Sequence, residues 1–101
     1  MKNVPEPLEF EWNRGNLNKS RHKHNVFKDE AESVFLNKDS VVLPDQEHSL
    51  TEERFVIIGK SNNERHLFIS FTLRKNKVRI ISARRMHKKE VEKYEKTKEN
   101  F

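Results

Sequence analysis

Three β-forming runs follow one another with only short polar connections: Arg54-Phe55-Val56-Ile57-Ile58-Gly59, His66-Leu67-Phe68-Ile69-Ser70-Phe71-Thr72-Leu73 and Val78-Arg79-Ile80-Ile81-Ser82-Ala83-Arg84-Arg85. A parallel crossover needs about a dozen residues or more. The turn around Ser61-Asn62-Asn63 and the one from Arg74 to Lys77 are too short for that, so the three runs are expected to pair as antiparallel neighbours. The first two carry apolar side chains on both faces, which implies that both faces of the sheet are covered. In the third, simple alternation places Val78, Ile80 and Ser82 on one face and Arg79, Ile81 and Ala83 on the other. Arg79 then shares a face with apolar neighbours and needs an anion there. The options are a protein carboxylate, which is the commoner case, or a ligand phosphate.

The rest of the chain supplies smaller elements. Met1 to Pro7 has no period and reads as a frayed lead-in. Leu8-Glu9-Phe10-Glu11-Trp12 alternates apolar with acidic, as a short half-buried strand does. Asn13 suits an N-cap for a helix over about 14–24, which ends in the cations Lys23 and His24 before Asn25. A second helix is expected over about 27–37, with Phe27, Ala31, Val34 and Phe35 as its apolar stripe. Val41-Val42-Leu43-Pro44 is a brief strand stopped by proline, and 45–53 a surface loop. A terminal helix begins near Met86; its sizeable apolar groups, Met86, Val91 and Tyr94, make a thin lid for one sheet face and hint at a partner. The expectation is a single domain over 1–101, frayed at 1–7 and 95–101, of α+β class: a small antiparallel sheet with two N-terminal helices and one C-terminal helix.

Charge points to the kind of partner. The 101 residues hold 21 Lys plus Arg against 16 Asp plus Glu, a net charge of +5, which favours an anionic partner, nucleic acid first. No apolar run is long enough for a membrane span and the N-terminus lacks a signal-peptide core, so a cytoplasmic address is expected, with no membrane partner. With no cysteine there is no disulfide and no thiolate chemistry. His22 and His24 stand at i, i+2 without a completing cluster, so no metal is expected. Two glycines, Gly15 and Gly59, cannot form a glycine-rich phosphate cradle, so no nucleotide cofactor is expected.

What remains is a set of cations and proton carriers at element ends: Lys23, His24, Glu53, Arg54, Arg74, Arg79, Arg84 and Arg85. Cleavage of RNA by its own 2′-hydroxyl needs a base for that hydroxyl, an acid for the leaving 5′-oxygen and cations facing the pentacovalent phosphate. All these residue types are present. Each also has a bland reading, as a helix cap, a solvated helix entrance or a structural ion pair. Asp45, Glu47 and His48 make an alternative acid–base cluster, with a solvated loop as its ordinary reading. Trp12, Phe35 and Tyr94 are assigned to packing rather than to base stacking.

In order and spacing, these residues resemble the BrnT family of bacterial toxins. The resemblance runs from Phe10 to Tyr94. It rests on Phe10-Glu11-Trp12, Lys23-His24 with Val26, Glu30-Ala31 with Val34-Phe35, Asp45 with His48-Ser49, Glu53-Arg54, Gly59, Thr72 with Arg74, and above all Arg79-Ile80-Ile81-Ser82-Ala83-Arg84. Asn13, Asn25 and Phe27-Lys28 depart from the family's preferred Asp, Gly and Ser-Phe, and none of these removes a candidate catalytic group. The resemblance implies a RelE-like fold and a ribonuclease that arrests translation as the toxin of a type II toxin–antitoxin system. It further implies neutralisation by a BrnA-like ribbon-helix-helix antitoxin, the complex binding operator DNA. On the matching positions it makes Lys23, His24, Glu53, Arg54, Arg79 and Arg84 catalytic candidates, with Glu53 or His24 as base, and Arg74 and Arg85 substrate-binding ones. The alternative is a non-enzymatic nucleic-acid-binding or co-repressor module in which the same arginines only hold phosphate. A third reading is an interaction protein whose arginines pair internally.

Overall fold

The three central strands pair as their short connections require. In the computed structural model, which describes residues 8–12, 26–48 and 52–99, β3 (Arg54–Lys60), β4 (His66–Arg74) and β5 (Lys77–Arg85) form an antiparallel meander. The β4–β5 turn is two residues long, with Lys75 at φ 50° and Asn76 at φ 64°. Two successive left-handed residues make the hairpin turn whose twist matches its flanking strands. The edge strand β2 (Val41–Pro44) joins β3 antiparallel, and the short strand β1 (Phe10–Glu11) joins β5 parallel, giving the order β1-β5-β4-β3-β2. Helix α1 (Lys28–Leu36) lies between β1 and β2 in sequence, a 3-10 turn covers Gln46–His48, and helix α2 (Lys88–Glu99) closes the chain.

This corrects the expected fold class. Among the described residues there are two helices and a five-stranded mixed sheet, with one helix before the meander and one at the C-terminus, rather than two N-terminal helices and an antiparallel sheet. The expected helix over 14–24 lies outside the described residues. Parallel pairing of β1 is possible because a long stretch of chain separates it from β5, so no tight turn dictates its direction. It is held by the Val78 amide donating to the Glu9 carbonyl at 2.8 Å and by cross-strand ion pairs from Lys77 to Glu9 (3.8 Å) and Arg79 to Glu11 (3.0 Å).

A second correction concerns β5. Ser70 pairs with Ser82 but Phe71 pairs with Ile80, so Ile81 is an extra residue, a β-bulge. The bulge resets the alternation. Val78, Ile80 and Ala83 all enter the core, while Arg79, Ser82 and Arg84 share the opposite face. Against the first of these faces pack Val26 and, from α1, Ala31, Val34 and Phe35, over Phe55, Ile57, Leu67, Ile69 and Phe71. Phe35 is the centre of the aromatic packing, meeting Phe10 and Phe71 edge-on at 5.3 and 5.0 Å. Phe27, expected in the helix stripe, is half exposed at the N-cap, and the buried Val26 takes its place.

Two polar devices fix α1 on the sheet. Glu30, buried in the helix, accepts from Ser61 Oγ at 2.7 Å and from Arg65 Nε at 2.7 Å, and Arg65 Nη2 also reaches its second oxygen. At the other end, Ser40 Oγ donates to the Val34 carbonyl at 2.6 Å, a second donor to a last-turn acceptor that also receives the Asn37 amide at 3.3 Å. Gly59 makes this approach possible, since a Cβ there would collide with Ser40 Oγ and lie 2.9 Å from Ser40 Cβ. Gly59→Ala should therefore lower stability by about 1–3 kcal/mol through overpacking, read as an earlier midpoint in urea at unchanged slope.

Candidate active site on the open sheet face

Strand register assembles the site. Across the face opposite α1, one row runs Arg54, Thr72, Arg79 and Glu11 on β3, β4, β5 and β1; the next runs Leu43, Val56, Ser70 and Ser82; the third runs Val41, Ile58, Phe68 and Arg84. Adjacent strands are about 4.8 Å apart, so Arg54 and Arg79, two strands apart, stand roughly 10 Å from each other at the backbone. A groove of about 590 Å³ opens on this face, with Arg54, Ser70, Ser82 and Arg84 as its polar lining, Val56, Phe68 and Ile81 as its floor, and Asp45 and Glu47 at its rim. Without the bulge Arg84 would face the core. The irregular residue thus brings Arg84 to the same surface as Arg54 and Arg79.

The arginines are not equivalent. Arg79 donates to Glu11 at 3.0 Å, so its anion is a protein carboxylate, the commoner of the two options. Arg84 is engaged by Glu90 of α2 through both Nη atoms at 2.9 Å each; it also donates to its neighbour's carbonyl at 3.0 Å, and its guanidinium carbon lies 4.1 Å from the Phe68 ring centroid. Glu90 additionally accepts the His87 amide at 2.7 Å. The Arg84 guanidinium, more than the opposing burial, depresses the Glu90 carboxyl to a pKa of about 2. Arg54 occupies the groove directly, with Asp45 held beside it by its backbone amide, which donates a hydrogen bond to the Arg54 carbonyl at 2.9 Å.

The remaining expected positions lie elsewhere. Arg74 pairs with Glu52 at 3.3 Å on the exposed strand end, near Glu11 and Trp12. Arg85 is exposed and pairs in register with the core residue Leu67, which puts it on the α1 side of the sheet. Glu53 is exposed just before β3, where its carbonyl accepts from Thr72 Oγ1 at 2.6 Å, and it does not line the groove. Lys23 and His24 fall outside the described residues. Trp12 donates to Glu32 at 2.6 Å and packs against the core, and Phe35 and Tyr94 are buried, as a packing assignment requires. No group of three or more His, Asp or Glu side chains suited to a metal ion occurs among the described residues.

The ordinary sequence reading of Asp45 and Glu47 is a solvated loop, with an acid–base cluster as the alternative. The usable signal was the β2–β3 pairing: Pro44 stands opposite Phe55, so the next residue must turn beside Arg54. No helix among the described residues is long and apolar enough to cross a membrane.

Chemically, the face can hold a phosphodiester between guanidinium groups and serine hydroxyls, with carboxylates at the rim to exchange protons. Comparison with curated proteins returned no match. A family model described as the ribonuclease toxin BrnT of a type II toxin–antitoxin system matches residues 12–90, which include every strand of the meander, the bulge and Glu90. The chain belongs to the BrnT family of ribonuclease toxins.

Proposed function

We propose that this chain is a metal-independent endoribonuclease whose substrate lies in the groove on the open sheet face. The observation that supports this most is the register that sets Arg54, Ser70, Ser82 and Arg84 along one groove. The substrate's 2′-hydroxyl loses its proton to a base and its oxygen attacks the adjacent phosphorus. The P–O5′ bond breaks, and an acid protonates the leaving 5′-oxygen, leaving a 2′,3′-cyclic phosphate. Arg54 and Arg84 neutralise the pentacovalent phosphate, and the serine hydroxyls donate to its oxygens. Glu47, exposed on the groove rim, is our choice of base; Glu53 and His24 remain the positions to which the family resemblance assigns that role, with Lys23 a further catalytic candidate.

On the same resemblance we read the fold as RelE-like and the setting as the cytoplasm. There a ribbon-helix-helix antitoxin neutralises the toxin and carries the complex to operator DNA. The deciding experiment incubates the purified chain with single-stranded RNA in the presence of EDTA and maps the fragment ends. Cyclic phosphate termini, lost when the scissile nucleotide is 2′-deoxy, are expected. Intact RNA in this assay, and equally in a parallel one on ribosomes kept assembled by Mg²⁺, would overturn the reading.

A further inference from the structure

We infer that Glu90 occupies the phosphate-binding fork of Arg84, so that α2 is a displaceable cover over one end of the groove. This rests on the proposed RNA site and concerns its regulation. A guanidinium presents the same pair of N–H groups to a carboxylate as to a phosphate oxygen pair. Both Nη atoms of Arg84 are committed to the two oxygens of Glu90, at 2.9 Å each. A phosphodiester entering the groove therefore meets an arginine whose fork and charge are already matched.

The helix that carries Glu90 is lightly attached. Among its described side chains the one fully buried is Tyr94, whose hydroxyl donates to the Asp39 carbonyl at 3.1 Å and whose ring meets His66 at 5.8 Å. His66 and Glu95 add a part-exposed pair at 3.0 Å. Between α2 and the sheet lies a cavity of about 300 Å³, lined by Val41, Ile58, Phe68 and Tyr94 among others. Helix and sheet are thus not closely fitted along this seam, and the apolar side chains lining it meet solvent rather than each other. Phe68 lines both this cavity and the groove, so the cover and the site share a wall.

Displacement predicts a gain on removing Glu90, where a merely structural ion pair predicts a loss. The test titrates binding of a single-stranded 2′-O-methyl RNA oligonucleotide, which cannot attack its own phosphates, against salt. Glu90→Gln should tighten binding about fivefold near 0.1 M salt and steepen the dependence of log K on log salt by about 0.7, the increment of one further phosphate contact on a single strand. Glu92→Gln, which removes the same charge from an exposed position of the same helix, should leave that slope unchanged. In an Arg84→Gln background the gain from Glu90→Gln should vanish. If Glu90→Gln melts below the assay temperature, Tyr94→Phe carries the test, since loosening α2 should steepen the slope in the same sense. An unchanged slope, or a gain that survives without Arg84, overturns the inference while leaving the RNA site standing. A wild-type chain that binds no oligonucleotide overturns both.

Discussion

Glu30→Ala should destabilise the fold by about 3 kcal/mol, a fall in melting temperature of roughly 12–24 °C for a domain of this size. Breaking a buried ion pair from one side costs about 3–5 kcal/mol because the surviving charge stays desolvated. Here the Glu30 side chain is 4% exposed but that of Arg65 is 20% exposed, so water recovers part of the loss and the lower end applies. The substitution also strips Ser61 of its acceptor and unfastens α1 from the β3–β4 turn, where Ser33 Oγ accepts the Asn62 amide. Glu30→Gln keeps an acceptor for Ser61 and should cost less. The pH dependence has a defined sign. The Arg65 hydrogen bond, outweighing burial, lowers the Glu30 carboxyl below its ordinary value of 4.5. Its folded pKa is thus below the unfolded one, so the contribution is complete above about pH 4.5 and is lost as pH falls through the folded value. Thermal melts of wild type and Glu30→Gln should therefore diverge at neutral pH and converge in acid.

That pair illustrates what the sequence does not disclose. Glu30 looks like an ordinary acidic residue of a helix's first turn, placed to complement the helix dipole, and nothing local announces that Arg65 will fold back onto it. The meander was legible because long apolar runs separated by a few polar residues leave one pairing. The bulge was not: Ile80 and Ile81 are both apolar, so a slip of one residue between them leaves no mark in the hydrophobic pattern, yet it decides which face Arg84 joins. For the same reason Arg54, Arg79 and Arg84 were identifiable as candidates one at a time, while their common face was not. The direction of β1 was equally hidden, since alternation in Phe10–Trp12 specifies a half-buried strand and not its partner. The thin lid, in contrast, was readable from the terminal helix alone, whose few apolar groups could not cover a sheet face.

Arg54→Ala should reduce RNA cleavage by about 10²–10³-fold, the loss expected when one preorganised donor to a developing phosphorane is removed, with kcat carrying most of the effect. Arg54→Lys keeps the charge and loses the two-pronged geometry, so it should recover only part of that activity. Arg79 lies in the same cross-strand row and should behave differently. Its guanidinium is tied to Glu11 at 3.0 Å between two partly exposed side chains, a contact that fastens β1 to β5. Arg79→Gln should cost about 1 kcal/mol of stability, matched by Glu11→Gln, and lower cleavage by roughly tenfold through loss of positive potential at the groove's end. Melting curves and single-turnover cleavage on the four variants separate these outcomes. Equal losses of activity for Arg54→Ala and Arg79→Gln at unchanged stability would place the reacting phosphate over the β5–β1 edge. A loss ten or more times larger at Arg54 than at Arg79 places it over the β3–β4 groove, because there an arginine faces the serines and the rim carboxylates together.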